Sequence, residues 1–194
     1  LISAALSDLG VEVLTSTAAA AIDADSVTTS SGERIATRTV VWTAGARANP
    51  LAAQLPGEHD RFGRVQADRE LRAQGVDDVF VTGDVAAAAT DDAGHTTLMS
   101  CQHALSLGRI AGHNAAAELL GLPTMPYSQP KYVTCLDLGP WGAVYTEGWE
   151  RTVKLERAEA KALKRSINTE WIYPPAADRD TAFAAADPAF VVVA

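Results

Sequence analysis

The run Val79-Phe80-Val81-Thr82-Gly83-Asp84-Val85-Ala86 constrains this chain more than any other segment. Three β-forming apolar residues lead into Thr-Gly-Asp, and a helix-like segment follows soon after. A strand that ends this way puts bare backbone and one carboxylate at the carboxyl edge of a sheet, where open α/β sheets bind their ligands. Glycine lets a bulky group approach the main chain, and aspartate accepts hydrogen bonds from hydroxyls. Upstream, Val40-Val41-Trp42-Thr43-Ala44-Gly45-Ala46 is a second apolar segment that ends in a small-residue turn.

The remaining chain reads as short strands, turns and a few helices. Leu1 to Leu9 has the pattern of a helix end with Gly10 as its stop. Val11 to Leu14, Ala18 to Asp23, Ser26 to Thr29 and Arg34 to Val41 read as strands, with a turn at Ser30-Ser31-Gly32-Glu33. These form an expected antiparallel meander. Arg64 to Ala67 reads as a short strand and Ala86 to Gly94 as a loop. Leu98 to Leu120 is the clearest helix, capped by Thr96 or Thr97 and ended by Gly121 and Pro123. One stripe on it runs Leu98, Cys101, Leu105, Gly108, Gly112, Ala115 and Leu119, and is expected to be the buried face. Its two glycines suggest close approach of a backbone or a ligand. Lys131 to Leu138 and Ala143 to Thr146 read as a hairpin around Gly139-Pro140-Trp141-Gly142, with Val153 and Leu155 in a further strand. Glu156 to Glu170 reads as a helix, with Ala160, Leu163, Ile167 and Trp171 inward. The alanine-rich tail after Pro175 is expected to wrap the surface.

Four features in this order resemble the flavoproteins that carry one FAD and one NAD(P) domain, the pyridine nucleotide-disulfide oxidoreductase superfamily. They are the Trp-Thr-Ala-Gly turn, the Gly-Asp strand, the Cys101-Gln102-His103-Ala104 helix start and the Leu136-Asp137-Leu138-Gly139 region. Within that superfamily the chain is most similar to type II NADH dehydrogenases, the NADH:quinone oxidoreductases. The resemblance implies a mixed α/β fold in three parts. Residues 1–43 form the tail of an NAD(P)-binding domain, with the antiparallel meander. Residues 44–124 form the carboxyl-terminal part of an FAD-binding domain. Residues 125–194 form a small α+β interface domain.

The same resemblance implies the chemistry. FAD is the cofactor, NAD(P)H is a substrate, and a quinone or another acceptor takes the electrons. Gly45 closes the turn that leaves the NAD(P) domain. Gly83 gives room, and Asp84 accepts hydrogen bonds from the ribityl hydroxyls of FAD. Cys101, Gln102 and His103 stand in the helix start that faces the pyrimidine edge of the flavin. There the partial positive charge of a helix amino terminus tunes the cofactor, and Gln102 matches the position bordering flavin and quinone. Two positions depart from the family pattern: Ala73 stands where threonine is common, and Cys101 stands in place of alanine. From the residues alone, Gln102 could equally be an exposed helix residue, His103 a surface or capping histidine, and Cys101 a buried small hydrophobe.

No G-x-G-x-x-G occurs, although the family uses two such loops, so the chain is read as the carboxyl-terminal part of a longer protein. A ferredoxin- or rubredoxin-reductase-like flavoenzyme and a cofactor-free interaction domain remain the alternatives. A net charge of −8 argues against general nucleic-acid binding. Every lysine (Lys131, Lys154, Lys161, Lys164) lies in the last third, interleaved with acids. This pattern fits at most a peripheral contact with a membrane surface. Cys101 and Cys135 form no C-x-x-C pair, and a reducing compartment is the default. The resemblance implies a cytoplasmic protein, peripheral to the inner face of the membrane, and leaves a homodimer open. No metal-ligand pattern is present, and His59, His95 and His113 receive no role.

Overall fold

The computed structural model describes residues 1–190. Residues 191–194, the end of the tail expected to wrap the surface, lie outside them. The chain divides into two units. The first is Leu1–Gly45 with Leu138–Trp141, and the second is Ala46–Asp137 with the chain from Gly142 onward.

The first unit opens with helix α1 (Ile2–Asp8). Gly10, at φ +69°, ends it. The Gly10 amide donates to the Ser7 carbonyl at 3.0 Å and the Val11 amide to the Leu6 carbonyl at 2.9 Å. This paired closure satisfies two carbonyls that a helix end leaves free. Strands β1 (Ala19–Ile22), β2 (Ser26–Thr29) and β3 (Arg34–Ala36) follow as the expected antiparallel meander. Val27 stands opposite Ile35.

One expected strand of this unit does not form and another is cut short. Val11 to Leu14 is irregular, and β3 stops at Ala36, so Val40, Val41 and Trp42 belong to no strand. Val41 is 78% and Trp42 66% exposed. A strand exists only where a neighbour takes up its backbone groups, and no described strand pairs with either segment.

In the second unit, β4 (Val65–Gln66) and β5 (Ala86–Ala87) pair in parallel. The expected strand at Val79–Val81 is reduced to a single bridge between Arg72 and Phe80. Two hydrogen bonds flank it, Ala73 N–H to Val79 O and Val81 N–H to Leu71 O, both 2.8 Å. The chain then makes a tight turn at Gly83–Val85. Val65, Leu71, Val81, Ala86, Leu107, Ile110 and Tyr127 build the core around these segments.

Helix α2 (Cys101–Leu119) is the longest element. Its cap is Ser100, not Thr96 or Thr97: the Ser100 side chain accepts from the His103 amide. Thr97 is instead buried, its hydroxyl donating to Ala86 O at 3.2 Å. At the other end Gly121, at φ +66°, closes the helix. There the Leu122 amide donates to Ala117 O at 2.8 Å, as at Gly10.

The buried face of α2 differs from the expected one. His103, Leu107, Ile110, Ala111, Asn114 and Ala117 are buried, whereas Cys101, Leu105, Gly108, Gly112 and Leu119 are exposed. The cause is Asn114. Its amide nitrogen donates to Glu70 O and Met125 O, each at 2.8 Å, and its amide oxygen accepts from Met125 N–H at 2.8 Å. A buried amide with its bonding satisfied fixes which side of a helix turns inward.

Strands β6 (Val133–Asp137), β7 (Ala143–Glu147) and β8 (Thr152–Glu156) form the carboxyl-terminal antiparallel sheet. Helix α3 (Arg157–Ser166) buries Ala160, whose carbonyl accepts from the Cys135 thiol at 3.7 Å. A π-helical turn, Ile167–Trp171, continues it. The extra residue of that turn rotates the following side chains, so Trp171 is 60% exposed rather than inward. Helix α4 (Arg179–Ala185) is capped by Asp178. It is tied to α2 by Arg109, whose Nε donates to Ala185 O at 2.7 Å.

Candidate functional site

The Gly83–Asp84 turn lies against α2. A side chain added at Gly108 would lie 3.8 Å from Thr82 Oγ1. Gly83 has φ +67°, and a Cβ there would meet nothing within 4 Å, so the turn presents open backbone. The conformation itself selects glycine. Asp84 is exposed, and its carboxylate has no hydrogen-bond or ion-pair partner among the described residues. A free carboxylate on an open glycine turn can accept hydrogen bonds from hydroxyls of a ligand. Gly112 is likewise open and Gly108 makes only ordinary contact, so among the described residues no backbone presses on the glycine stripe. Gly45 has φ +92° and open space around it, within the first unit.

The amino end of α2 is built more tightly. Cys101 is exposed, which corrects its reading as a buried hydrophobe. Gln102 spends its side-chain amide on Val133: its Nε2 donates to Val133 O at 3.0 Å and its Oε1 accepts from Val133 N–H at 3.3 Å. It therefore pins β6 to the helix start, a role with no local signal in sequence. The first amides of a helix have no intrahelical acceptor, and Cys101 and Gln102 carry them here.

His103 is fully buried and is no surface histidine. Its Nδ1 lies 3.0 Å from Ser100 Oγ and 3.4 Å from the Leu98 amide, so it takes part in the cap. Burial, reinforced by the nearby Arg64 guanidinium, lowers its pKa from 6.5 to about 4, and the ring is neutral at pH 7. Arg64 is itself buried. Its Nε donates to Asp60 Oδ2 at 2.7 Å and its Nη1 to Thr97 O at 2.6 Å. Partial burial pushes the Asp60 carboxyl up, and hydrogen bonds from Arg64 and Phe62 outweigh it, holding the group below its ordinary value.

Around His103 the structure assembles rings that are far apart in sequence. His95 stacks on Trp149 at 4.5 Å and 3°, Trp149 on Tyr132 at 4.7 Å and 18°, and Tyr132 on His103 at 5.7 Å and 16°. At the outer end, His95 Nδ1 lies 2.6 Å from Asp91 Oδ2. His95, given no role on sequence grounds, thus has Asp91 as its partner. The available signal was an aspartate four residues before a histidine in a glycine-containing loop. Among the described residues no group of three or more His, Cys, Asp or Glu side chains could hold a metal ion.

The pattern of the pyridine nucleotide-disulphide oxidoreductase family matches residues 1–108, which include the Gly83–Asp84 turn and the start of α2. The chain belongs to this family. It is 53% identical to an NADH dehydrogenase-like protein of Mycobacterium tuberculosis over 174 residues, 90% of this chain and 43% of that one. It is 31% identical to the demethylphylloquinone reductase of Synechocystis over 73% of this chain and 35% of that one. To the type II NADH:quinone oxidoreductase of Staphylococcus saprophyticus it is 26% identical, over 73% and 34% respectively. The chain spans less than half the length of these curated relatives. Its family and its mixed α/β architecture agree with the reading from sequence.

Proposed function

We propose that this chain is the flavin-proximal, carboxyl-terminal part of an NAD(P)H:quinone oxidoreductase. The observation that carries the reading is the open Gly83 turn with its unpartnered Asp84 carboxylate, set against α2 beside Gly108. That open backbone and free acceptor fit the hydroxyls of the ribityl chain of FAD. The names of the relatives, which include two quinone reductases, support a quinone as acceptor. Residues 1–43, 44–124 and 125–194 then correspond to the tail of the NAD(P) domain, the end of the FAD domain and an interface domain.

FAD, when bound, supplies the two-electron chemistry that links NAD(P)H to the acceptor. The chain's own residues bind and orient. Asp84 would accept hydrogen bonds from ribityl hydroxyls, and Gly83 would keep a side chain out of their way. The amide end of α2 would offer partial positive charge to the bound flavin. Gln102 contributes through Val133, by holding β6 against that helix end, and His103 keeps the cap closed as a neutral ring.

The test is the full-length protein. It is expected to purify yellow, to bleach on addition of NADH or NADPH, and to turn over a short-chain quinone faster than a ferredoxin or rubredoxin. A full-length protein that carries no flavin and takes none up overturns the reading. Membrane contact, on the same reading, is peripheral. Among the described residues no helix is long and apolar enough to cross a membrane, while Trp171 and Tyr173 are 60% and 65% exposed beyond the basic end of α3. Co-sedimentation with anionic vesicles should be weak and should fall with salt. Binding that survives physiological salt would show an apolar anchor instead.

A further inference from the structure

Asp91 and His95 form a pair whose geometry exceeds what a loop needs. Asp91 Oδ1 accepts the amides of Ala93 and His95, at 2.9 and 3.2 Å. These two bonds already close the turn. Oδ2 is left for the imidazole alone, 2.6 Å from Nδ1. The neighbouring Asp92 is engaged elsewhere, with Arg69, so Asp91 is the carboxylate that faces the ring. Partial desolvation pushes the Asp91 carboxyl up, but the hydrogen bonds from His95 and Ala93 prevail and keep it ionised.

A carboxylate on Nδ1 fixes the ring's orientation and leaves Nε2 as the nitrogen that gives or takes a proton. His95 is held flat by Trp149 on one face. Its side chain is still 37% exposed, whereas Asp91 is 14% exposed. The ring is therefore positioned, backed by a shielded carboxylate, and open to solvent. Trp149 links the ring to the start of α2. Trp149 lies 6.2 Å from His103, and His103 adjoins Gln102. Thr96 to Ser100 lead directly from His95 into α2.

We infer that His95 is the proton donor to the reduced acceptor, with Asp91 as its positioning residue. The inference rests on the quinone reductase reading. Quinone to quinol takes two electrons and two protons. NAD(P)H supplies both electrons and one proton as a hydride equivalent. For the second proton, the His95 Nε2–H bond breaks and a quinol O–H bond forms. The imidazole is left neutral, with its remaining proton on Nδ1 against Asp91, and water reprotonates Nε2 at the exposed edge.

The experiment uses the flavin-loaded full-length protein, His95→Gln and Asp91→Asn, with two oxidants. Menadione must be protonated as it is reduced, whereas ferricyanide takes electrons without a proton. His95→Gln should slow reoxidation by menadione about a hundredfold, within the usual range for a general acid. Reoxidation by ferricyanide and bleaching by NADH should change less than twofold. Nitrogen-15 NMR of the histidine rings supplies a readout apart from turnover. Neutral His95 should carry its proton on Nδ1 in the wild type, lose that preference in Asp91→Asn, and shift at Nε2 when menadione is added. Equal slowing with both oxidants, unchanged rates with both, or an Nε2 signal that menadione does not move would overturn the inference. A wild type that NADH never bleaches would instead overturn the parent reading, and this one with it.

Discussion

His103 makes the stability of this protein depend on pH in a narrow window. The ring is enclosed at the cap of α2, and its folded pKa is about 4 against an ordinary 6.5. Above pH 6.5 both folded and unfolded chains hold a neutral ring, and the group contributes nothing to the balance. Between pH 6.5 and 4 the unfolded chain binds the proton and the folded chain does not. Stability therefore falls as the pH drops through that window and levels off below it. The gap between 6.5 and about 4, at 1.36 kcal/mol per pH unit, is a loss of about 3 kcal/mol. Urea unfolding followed by far-ultraviolet circular dichroism, at steps from pH 7.5 to 4, measures it. His103→Asn is the reference, because its amide oxygen can accept from the Leu98 amide as Nδ1 does. That variant loses ring contact with Tyr132 and starts less stable, but its curve should be flatter. The other histidines and the carboxylates occur in both proteins and cancel in the difference. Parallel curves, with the difference constant to within about 0.5 kcal/mol, would refute the assignment of a buried neutral ring.

Three further outcomes follow from particular contacts. In the full-length protein Asp84→Ala should raise the FAD dissociation constant at least tenfold, since losing a hydrogen bond to a charged group costs ~1.5–3 kcal/mol; flavin-fluorescence titration measures it, and unchanged affinity counts against the site. Asn114→Ala removes three hydrogen bonds that tie α2 to Glu70 and Met125. At roughly 1 kcal/mol each it should cost about 3 kcal/mol in urea unfolding, and a loss under about 1 kcal/mol would show that Asn114 does not orient the helix. Gly142→Ala puts a Cβ 2.6 Å from the Arg157 backbone at φ +118°. Overpacking and strain together should cost about 3 kcal/mol or more, seen as a clear fall in melting temperature, whereas an unchanged melting temperature would mean that the start of α3 can move aside.

Features that depend on neighbouring residues were legible in the sequence. Gly10 and Gly121 each end a helix, because left-handed closure needs glycine there and the bonds it makes stay within six residues. The meander was legible for the same reason: β1, β2 and β3 are joined by turns of a few residues, and Ser30 to Glu33 signals one of them. Val79 to Val81 is apolar enough for a strand, yet composition does not supply a ladder. Only Leu71 to Ala73 lies alongside among the described residues, so one bridge forms. Val41 and Trp42 fail in the same way. At the candidate site the Gly83–Asp84 turn was readable as an open turn with a carboxylate. The use of Gln102 was not, because Val133 is 31 residues away and nothing near either residue announces the pairing.

The orientation of α2 shows why the apolar stripe misled. A helix turns its apolar face inward when burial is the largest free-energy difference between its faces. Here the apolar stripe contains two glycines and a cysteine, which have little area to bury, and its leucines are spread along the whole helix. The opposite face holds Leu107 and Ile110 with Asn114 and His103, and Asn114 has partners fixed by the rest of the fold. Turning the helix over would bury the stripe but break three hydrogen bonds at Asn114 and the cap at His103, and would bring Leu107 and Ile110 out of the core. Asn114, together with Leu107 and Ile110, therefore decides the rotation. It leaves the glycine stripe facing outward beside Thr82 and the Gly83–Asp84 turn, where the proposed flavin site requires open backbone. The same rotation carries Gln102 to Val133 and His103 to Tyr132, so the exposed stripe and the ring stack that ends at His95 are two results of one packing choice.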